Sequence, residues 1–216
     1  MQKNKFLTPQ HSEMPISIRN EIRRDIRIRR QKLSIQQQQD AALLLNKQLT
    51  VHPKIIQAKK IAMYLANDGE LDTSLLIEWC WQQQKEVYLP VIHPFSKGQL
   101  LFLKYHKNSE MITNQYGIKE PKLDIRDITV LSDLNIILTP LVAFDKQGNR
   151  LGMGGGFYDR TLATWYSNIQ SHSQTKLYPI GIAHDCQLTT ELPTDSWDIP
   201  LPEIITPTKK FSFKLI

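Results

Sequence analysis

The chain has 216 residues, 41% of them apolar and 22% charged, with a formal net charge of +6. That length and balance exclude a collagenous or wholly disordered chain and fit one large α/β domain or two small ones. No apolar run approaches the roughly 20 residues needed to cross a bilayer, and two widely spaced cysteines, Cys80 and Cys186, make neither a disulfide framework nor a zinc site.

The charge is uneven. Residues 1–60 hold 13 Lys and Arg against 4 Asp and Glu, while the remainder is mildly acidic. Such asymmetry predicts an anionic partner, either a polymer or a small molecule. Residues 1–14 show no periodicity and are expected to be a loose tail. They carry no apolar signal-peptide core, so the expected location is cytoplasmic, without membrane contact.

From Ile16 the spacing predicts a helix, with Ile18, Ile22 and Ile26 on one face and Arg19, Arg23 and Arg27 on a neighbouring one. "LSIQQQQDAALLLNKQL" reads as a second helix capped by Ser34, with Gln37 at the capping-box spacing and the glutamines on its solvated side. His52-Pro53 closes this unit. "KIAMYLA" (60–66) is an expected strand and "DGELD" (68–72) a loop. Residues 73–84 are a helix with Leu75, Leu76, Trp79 and Cys80 on its apolar face. The cysteine and its flanking tryptophans are expected in the core or at its rim. "EVYLPVI" (86–92) and "LLFLKY" (100–105) form a hairpin-like pair of strands. Residues 108–133 are weakly patterned. "LNIILTPLVAFD" (134–145) begins as a buried strand, and 157–171 is a helix. "YPIGIA" (178–183) is a strand, and "IPLPEIITP" (199–207) a short terminal one whose prolines argue for a sheet edge. His93, His106 and His184 are expected as surface or core histidines. The alternation predicts a three-layer α/β/α sandwich around an open, mostly parallel but mixed, Rossmann-like sheet, as one domain over 15–210.

"RLGMGGGFYDR" (150–160) contains four of the nine glycines, at a strand-to-helix junction. Ligands of open α/β sheets bind at the carboxyl ends of strands. Glycine lets the backbone take conformations closed to other residues and lets a ligand approach without meeting a Cβ. The following helix offers unpaired N–H groups to an anion, and Arg150 adds a forked cation. Together these predict a phosphate cradle, although a glycine-rich packing turn is the plain alternative. It is neither a Walker loop nor a full dinucleotide fingerprint. Asp159 just inside the helix suits Mg²⁺ bridging to phosphate, or merely an acid at a helix N-terminus.

"GNRLGMGGGFYDR" resembles the signature of the 5-formyltetrahydrofolate cyclo-ligase family. "RNEIRRDIR", "IAMYLANDGELDT", "YGIKEP", "TPLVAFDKQGNRLG" and "IGIAHDCQL…LPTDSWDIPL" resemble the same family in the same order, over roughly residues 16–208. The resemblance implies ATP-dependent cyclisation of 5-formyltetrahydrofolate to 5,10-methenyltetrahydrofolate, with Mg²⁺, releasing ADP and phosphate. It implies ATP binding by Arg19, Arg23 and the run Arg150, Leu151, Gly152, Met153, Gly154, Gly155, Gly156, Phe157 and Tyr158. It implies folate contacts from Leu65, Glu70 and Tyr158, metal ligation by Asp159 and Asp198, and catalytic roles for Arg150 and Tyr158. Two positions depart from the family pattern: Arg19 is often lysine there, and Phe157 is often tyrosine.

The implied chemistry is physically coherent. A formyl amide is a poor electrophile with a poor leaving oxygen. Phosphorylating that oxygen remedies both, after which N10 attacks the activated carbon and phosphate departs. The protein has to align the formyl oxygen with the γ-phosphate and neutralise spreading charge. A carboxylate such as Glu70 is an acceptor suited to the donor edge of a pterin. The expected partners are therefore a reduced folate and ATP, without nucleic acid, and the expected state is a monomer. Two rival readings are a nucleic-acid-binding protein using the arginine-rich helix and a sugar-phosphate isomerase or deaminase on a related scaffold.

Overall fold

The computed structural model describes residues 14–215. The expected tail at 1–14 lies outside them, except for Met14. The helices are α1 (Met14–Gln31), α2 (Ile35–Thr50), α3 (Pro53–Gln57), α4 (Ser74–Gln82) and α5 (Phe157–Gln170). The strands are β1 (Lys60–Ala62), β2 (Glu86–Ile92), β3 (Leu100–Tyr105), β4 (Met111–Thr113), β5 (Lys119–Pro121), β6 (Ile128–Thr129), β7 (Ile136–Pro140), β8 (Ala143–Phe144), β9 (Arg150–Leu151), β10 (Tyr178–Ile182), β11 (Glu203–Ile205) and β12 (Lys210–Ser212).

Eight strands make one sheet in the order β12-β11-β10-β7-β1-β2-β3-β6. The five from β11 to β2 are parallel; β12 on one side and β3 on the other run against them, and β6, antiparallel to β3, returns to their direction. Strand side chains alternate between two cores. Ile61, Ile136, Leu138, Ile180 and Ile182 pack with Leu45 and Leu49 of α2, Ile55 of α3 and Leu76 and Cys80 of α4. Ala62, Ile137 and Ile204 pack with Leu162 and Trp165 of α5. Burial on both faces explains why these strands read as continuous apolar runs. The result is the expected mixed, mostly parallel α/β sandwich. Among the described residues no helix is long and apolar enough to cross a membrane.

Several local expectations hold. Ser34 and Gln37 form the capping box of α2: Ser34 Oγ accepts from Gln37 N at 3.2 Å and Gln37 Oε1 from Ser34 N at 2.8 Å. Cys80 is buried, and burial pushes its thiol up to about 12. His184 is buried too, and desolvation lowers its imidazole to about 4, so it stays neutral.

Others need correction. His52-Pro53 does follow the end of α2 at Thr50, but a further short helix comes next, because Pro53 starts α3 at a position where its missing N–H costs nothing. The strand at 60–66 pairs only as far as Ala62, with one further bond from Met63 N to Tyr88 O. Beyond it Tyr64 turns away, its carbonyl accepting from Thr73 Oγ1 at 2.6 Å and its hydroxyl donating to Leu71 O at 2.9 Å. The proline-rich terminal strand is not an edge. Pro200, Pro202 and Pro207 flank β11 and leave its paired positions free, and β12 covers it. Residues 108–133 hold a small β4–β5 hairpin and β6, pieces too short to show periodicity. On α1, Ile26 is buried and Ile22 partly so, but Ile18 is exposed.

Candidate active site

A cleft of about 670 Å³ opens over the carboxyl ends of β1, β2 and β7. The 64–70 loop after β1, the start of β3, the β4–β5 hairpin and the glycine stretch before α5 also line it. The antiparallel β8–β9 hairpin carries Arg150 from the core to the cleft: Phe144 pairs with Arg150, and Leu151 packs beside Ile26 and Val142. Gly154 (φ +96°) and Gly156 (φ +62°) sit in the left-handed region that other residues avoid. Gly156 also stands directly before the first turn of α5.

Charge on the glycine-loop side is arranged in pairs. Arg150 is 5% exposed, and its Nη2 donates to Asp159 Oδ1 at 2.8 Å. Desolvation lowers its pKa, Asp159 and Asp198 oppose that shift, and its buried Nε has no partner among the described residues. Arg23 Nε donates to Gly152 O at 2.7 Å, which ties α1 to the glycine loop. A Cβ on Gly154 would lie 3.5 Å from that guanidinium. Arg19 bonds Asp195 and also donates to Asp198 Oδ2 at 2.6 Å. Asp198 Oδ2 accepts a further bond from Asp195 N, and Asp159 Oδ1 one from Ile199 N. The two acids thus meet through neighbouring residues of the 195–199 turn.

The 67–72 loop is arranged differently. Asp68 (φ +50°) accepts from Arg27 Nε at 2.6 Å, Arg30 Nη2 at 2.8 Å and Gln31 Nε2 at 2.8 Å. These three bonds from α1 hold a non-glycine residue in an unfavourable conformation. Glu70 then enters the cleft with the Asn67 N–H as its hydrogen-bond partner, at 3.1 Å. Burial is the main cause that raises its carboxyl to about 7, against the opposing pull of the Asn67 bond and of Arg30. Tyr158 lies within electrostatic reach of Glu70 and Arg150, and burial holds its hydroxyl protonated well above the ordinary range.

Of the residues singled out in the sequence, Leu65, Glu70, Arg150, Gly152, Met153, Gly155, Gly156, Phe157, Tyr158 and Asp159 line the cleft. Arg23 reaches the same loop from outside it. The Leu151 side chain is in the core, and Arg19 and Asp198 pair with each other beside the loop. Sequence patterning did not single out Arg30, Tyr116 or Glu120, which also line the cleft. Arg30 was findable: it stands four residues after Ile26 and continues the isoleucine stripe into the interior. Tyr116 meets Phe157 edge-on at 6.1 Å. Glu120 is nearly buried, its Oε2 accepting from Asn114 Nδ2 at 2.9 Å and Ile92 N at 3.2 Å.

The cleft has the shape and charge to take an extended ligand with a phosphate at the glycine loop and a group rich in donors at Glu70. The chain is 52% identical to the 5-formyltetrahydrofolate cyclo-ligase of Escherichia coli K12 over 184 residues, covering 85% of this chain and 97% of that one. It is 47% identical to the enzyme of that name from Haemophilus influenzae, covering 87% and 96%. The solved structure of the Aquifex aeolicus 5,10-methenyltetrahydrofolate synthetase superposes with a TM-score of 0.76 at 27% identity, over 91% of this chain and 93% of that one. The matching family profile spans residues 15–207, and so, over nearly its whole length, the chain belongs to the 5-formyltetrahydrofolate cyclo-ligase family of enzymes.

Proposed function

We propose that this chain cyclises 5-formyltetrahydrofolate to 5,10-methenyltetrahydrofolate by phosphorylating the formyl oxygen from ATP, with Mg²⁺, releasing ADP and phosphate. The observation that carries the reading is Arg150. It is a buried cation with an unused Nε donor, set at a glycine loop that leads into a helix N-terminus. A buried donor without a partner costs roughly 1–3 kcal/mol, so a phosphate oxygen that satisfied it would bind well.

ATP then lies with its phosphates over Gly152–Gly156, between Arg150 and Arg23 and near Arg19. The reduced folate lies against Leu65 and Tyr158, its pterin donors on the Glu70 carboxylate. Tyr158, buried, protonated and within electrostatic reach of Glu70 and Arg150, serves at the junction of the two substrates as a hydrogen-bond donor rather than a base. The arginines hold the γ-phosphate in line with the formyl oxygen and take up charge as it spreads.

Asp159 and Asp198 fit a hard cation. Each has one oxygen engaged, and leaves the other, Asp159 Oδ2 and Asp198 Oδ1, without a hydrogen bond among the described residues. Among those residues there is no cluster of three or more metal-ligating side chains. Two carboxylates completed by substrate phosphates are a usual arrangement for Mg²⁺, which would lower the repulsion between phosphate and nucleophile.

The test is an absorbance assay with purified protein, 5-formyltetrahydrofolate and Mg²⁺, with and without ATP. The expected result is ATP-dependent growth of the near-ultraviolet band of the methenyl product. No growth with ATP still bound would leave the nucleotide site and remove the acceptor. Neither growth nor ATP binding would return the loop to a packing turn.

A further inference from the structure

Arg160 has no part in the site just described. It is the fourth residue of α5, and a cation so close to a helix N-terminus is electrostatically disfavoured unless something compensates it. Two carbonyls do. Arg160 Nε donates to Gly98 O at 2.7 Å, and Arg160 Nη2 donates to Gly155 O. Gly98 closes the turn between β2 and β3, 62 residues earlier, while Gly155 is in the glycine loop. One guanidinium therefore clasps the loop to a turn on a different part of the sheet.

The surroundings are shaped around that guanidinium. A Cβ at Gly98 would collide with it, and one at Gly156 would stand 3.0 Å from its Nη1. Its carbon sits 5.9 Å from the centre of the Phe157 ring. Because the peptide group is planar and trans, fixing Gly155 O on Arg160 turns the Gly156 N–H to the opposite side. Gly155 and Gly156 both line the cleft. The clasp thus sets the peptide plane on which an anion would be received.

We propose that Arg160 is a positioning residue for the nucleotide, holding the glycine loop against the β2–β3 turn in the conformation that accepts phosphate. The inference rests on the reading of that loop as the ATP site. A loop left unclasped would have to be ordered by ATP itself, at a cost in affinity. Folate contacts at the 64–70 loop would be untouched.

Four proteins test it: R160M, R160K, G98A and the double variant R160M/G98A, compared with the parent in the absorbance assay, by calorimetric titration of ATP and by thermal melting. R160M is expected to raise the KM for ATP about tenfold, the usual scale for losing a charge-assisted hydrogen bond, with the KM for folate unchanged. R160K should fall between, since one ammonium cannot bridge both carbonyls as the fork does. G98A should raise the KM for ATP more in the parent background than in R160M, where the colliding guanidinium is gone; any effect of left-handed strain at 98 is common to both backgrounds and cancels in that difference. An unchanged KM for ATP in a normally melting R160M or R160K, or full additivity in the double variant, overturns the clasp. If the parent itself binds no ATP, the nucleotide site falls and the clasp with it. If the parent and R160M bind ATP alike, the clasp alone falls.

Discussion

On the glycine-loop side of the cleft Arg150 is paired with Asp159, and Arg19 with Asp195 and Asp198, whereas in the 67–72 loop Glu70 has only a backbone N–H. The same loop shows that the difference is not one of supply. Arg27 and Arg30 stand close by, but both hydrogen-bond Asp68, and Arg30 acts on Glu70 only through its charge. On the function proposed above, an incoming phosphate and its cation would meet, in the first region, charges that are already desolvated and held, and would need only to exchange partners. In the second, a carboxylate is kept free and poorly solvated, with its proton affinity raised. Pairing provides a preset field; isolation provides an acceptor that a neutral donor edge can claim.

The largest effect should come from breaking the paired side. R150M is expected to lower kcat/KM by about two to three orders of magnitude, the scale for removing one preorganised donor to a developing anion. It should also cost roughly 3 kcal/mol of stability by leaving Asp159 without its cation in a half-buried site. R150M/D159N should recover stability in chemical denaturation but not activity. Recovery of both would make the pair structural only. Next, E70A should weaken folate about 10- to 100-fold with ATP affinity unchanged, the scale for hydrogen bonds to a charged acceptor. Equal loss of both ligands would assign Glu70 to the scaffold.

The raised Glu70 carboxyl sharpens the contrast through pH. Its charged form is the acceptor, so the KM for folate should rise as pH falls below about 7, and E70Q should flatten that dependence. Stability moves the other way. The folded state holds this proton up to about 7 while the unfolded chain releases it near 4.5. The contribution is therefore fully present below about 4.5 and is lost as pH rises through about 7. Denaturation midpoints of parent minus E70Q across that window measure it, and a flat difference would remove the isolated-carboxylate reading. The smallest change is R19K. It keeps the charge but cannot fork between Asp195 and Asp198, and a few-fold rise in the KM for ATP is expected. No change would mean that Arg19 acts as a point charge.

Legibility followed physical range. The α2 cap, the apolar strands and the glycine loop announce themselves because their causes lie within a few residues: a side chain three positions from its N–H, two-sided burial, a backbone open to left-handed angles. Glu70 reads as any loop acid until the resemblance marks it, since its burial comes from elements far off in sequence. The end of β1 at Ala62 is set by Thr73 reaching back to Tyr64, and the interior place of β11 by β12 covering it. Neither leaves a local signature. Arg30 shows that a periodic stripe can be right about burial even where the residue type argues against it. Arg160 is legible in the sequence only as part of the glycine signature, because one of its two acceptors lies 62 residues away and the other is a loop carbonyl.

The contact of Arg19 with Asp195 and Asp198 spans 176 and 179 residues. Its consequence is one of timing. During synthesis α1 and the sheet strands can emerge and pack one after another, at about 5–20 residues per second. Arg19, which the proposed function sets beside the nucleotide, by contrast lacks its carboxylate partners until the 195–198 turn has been made. A nascent chain would thus carry an incomplete site through most of its translation, and nucleotide affinity should be among the last properties it acquires.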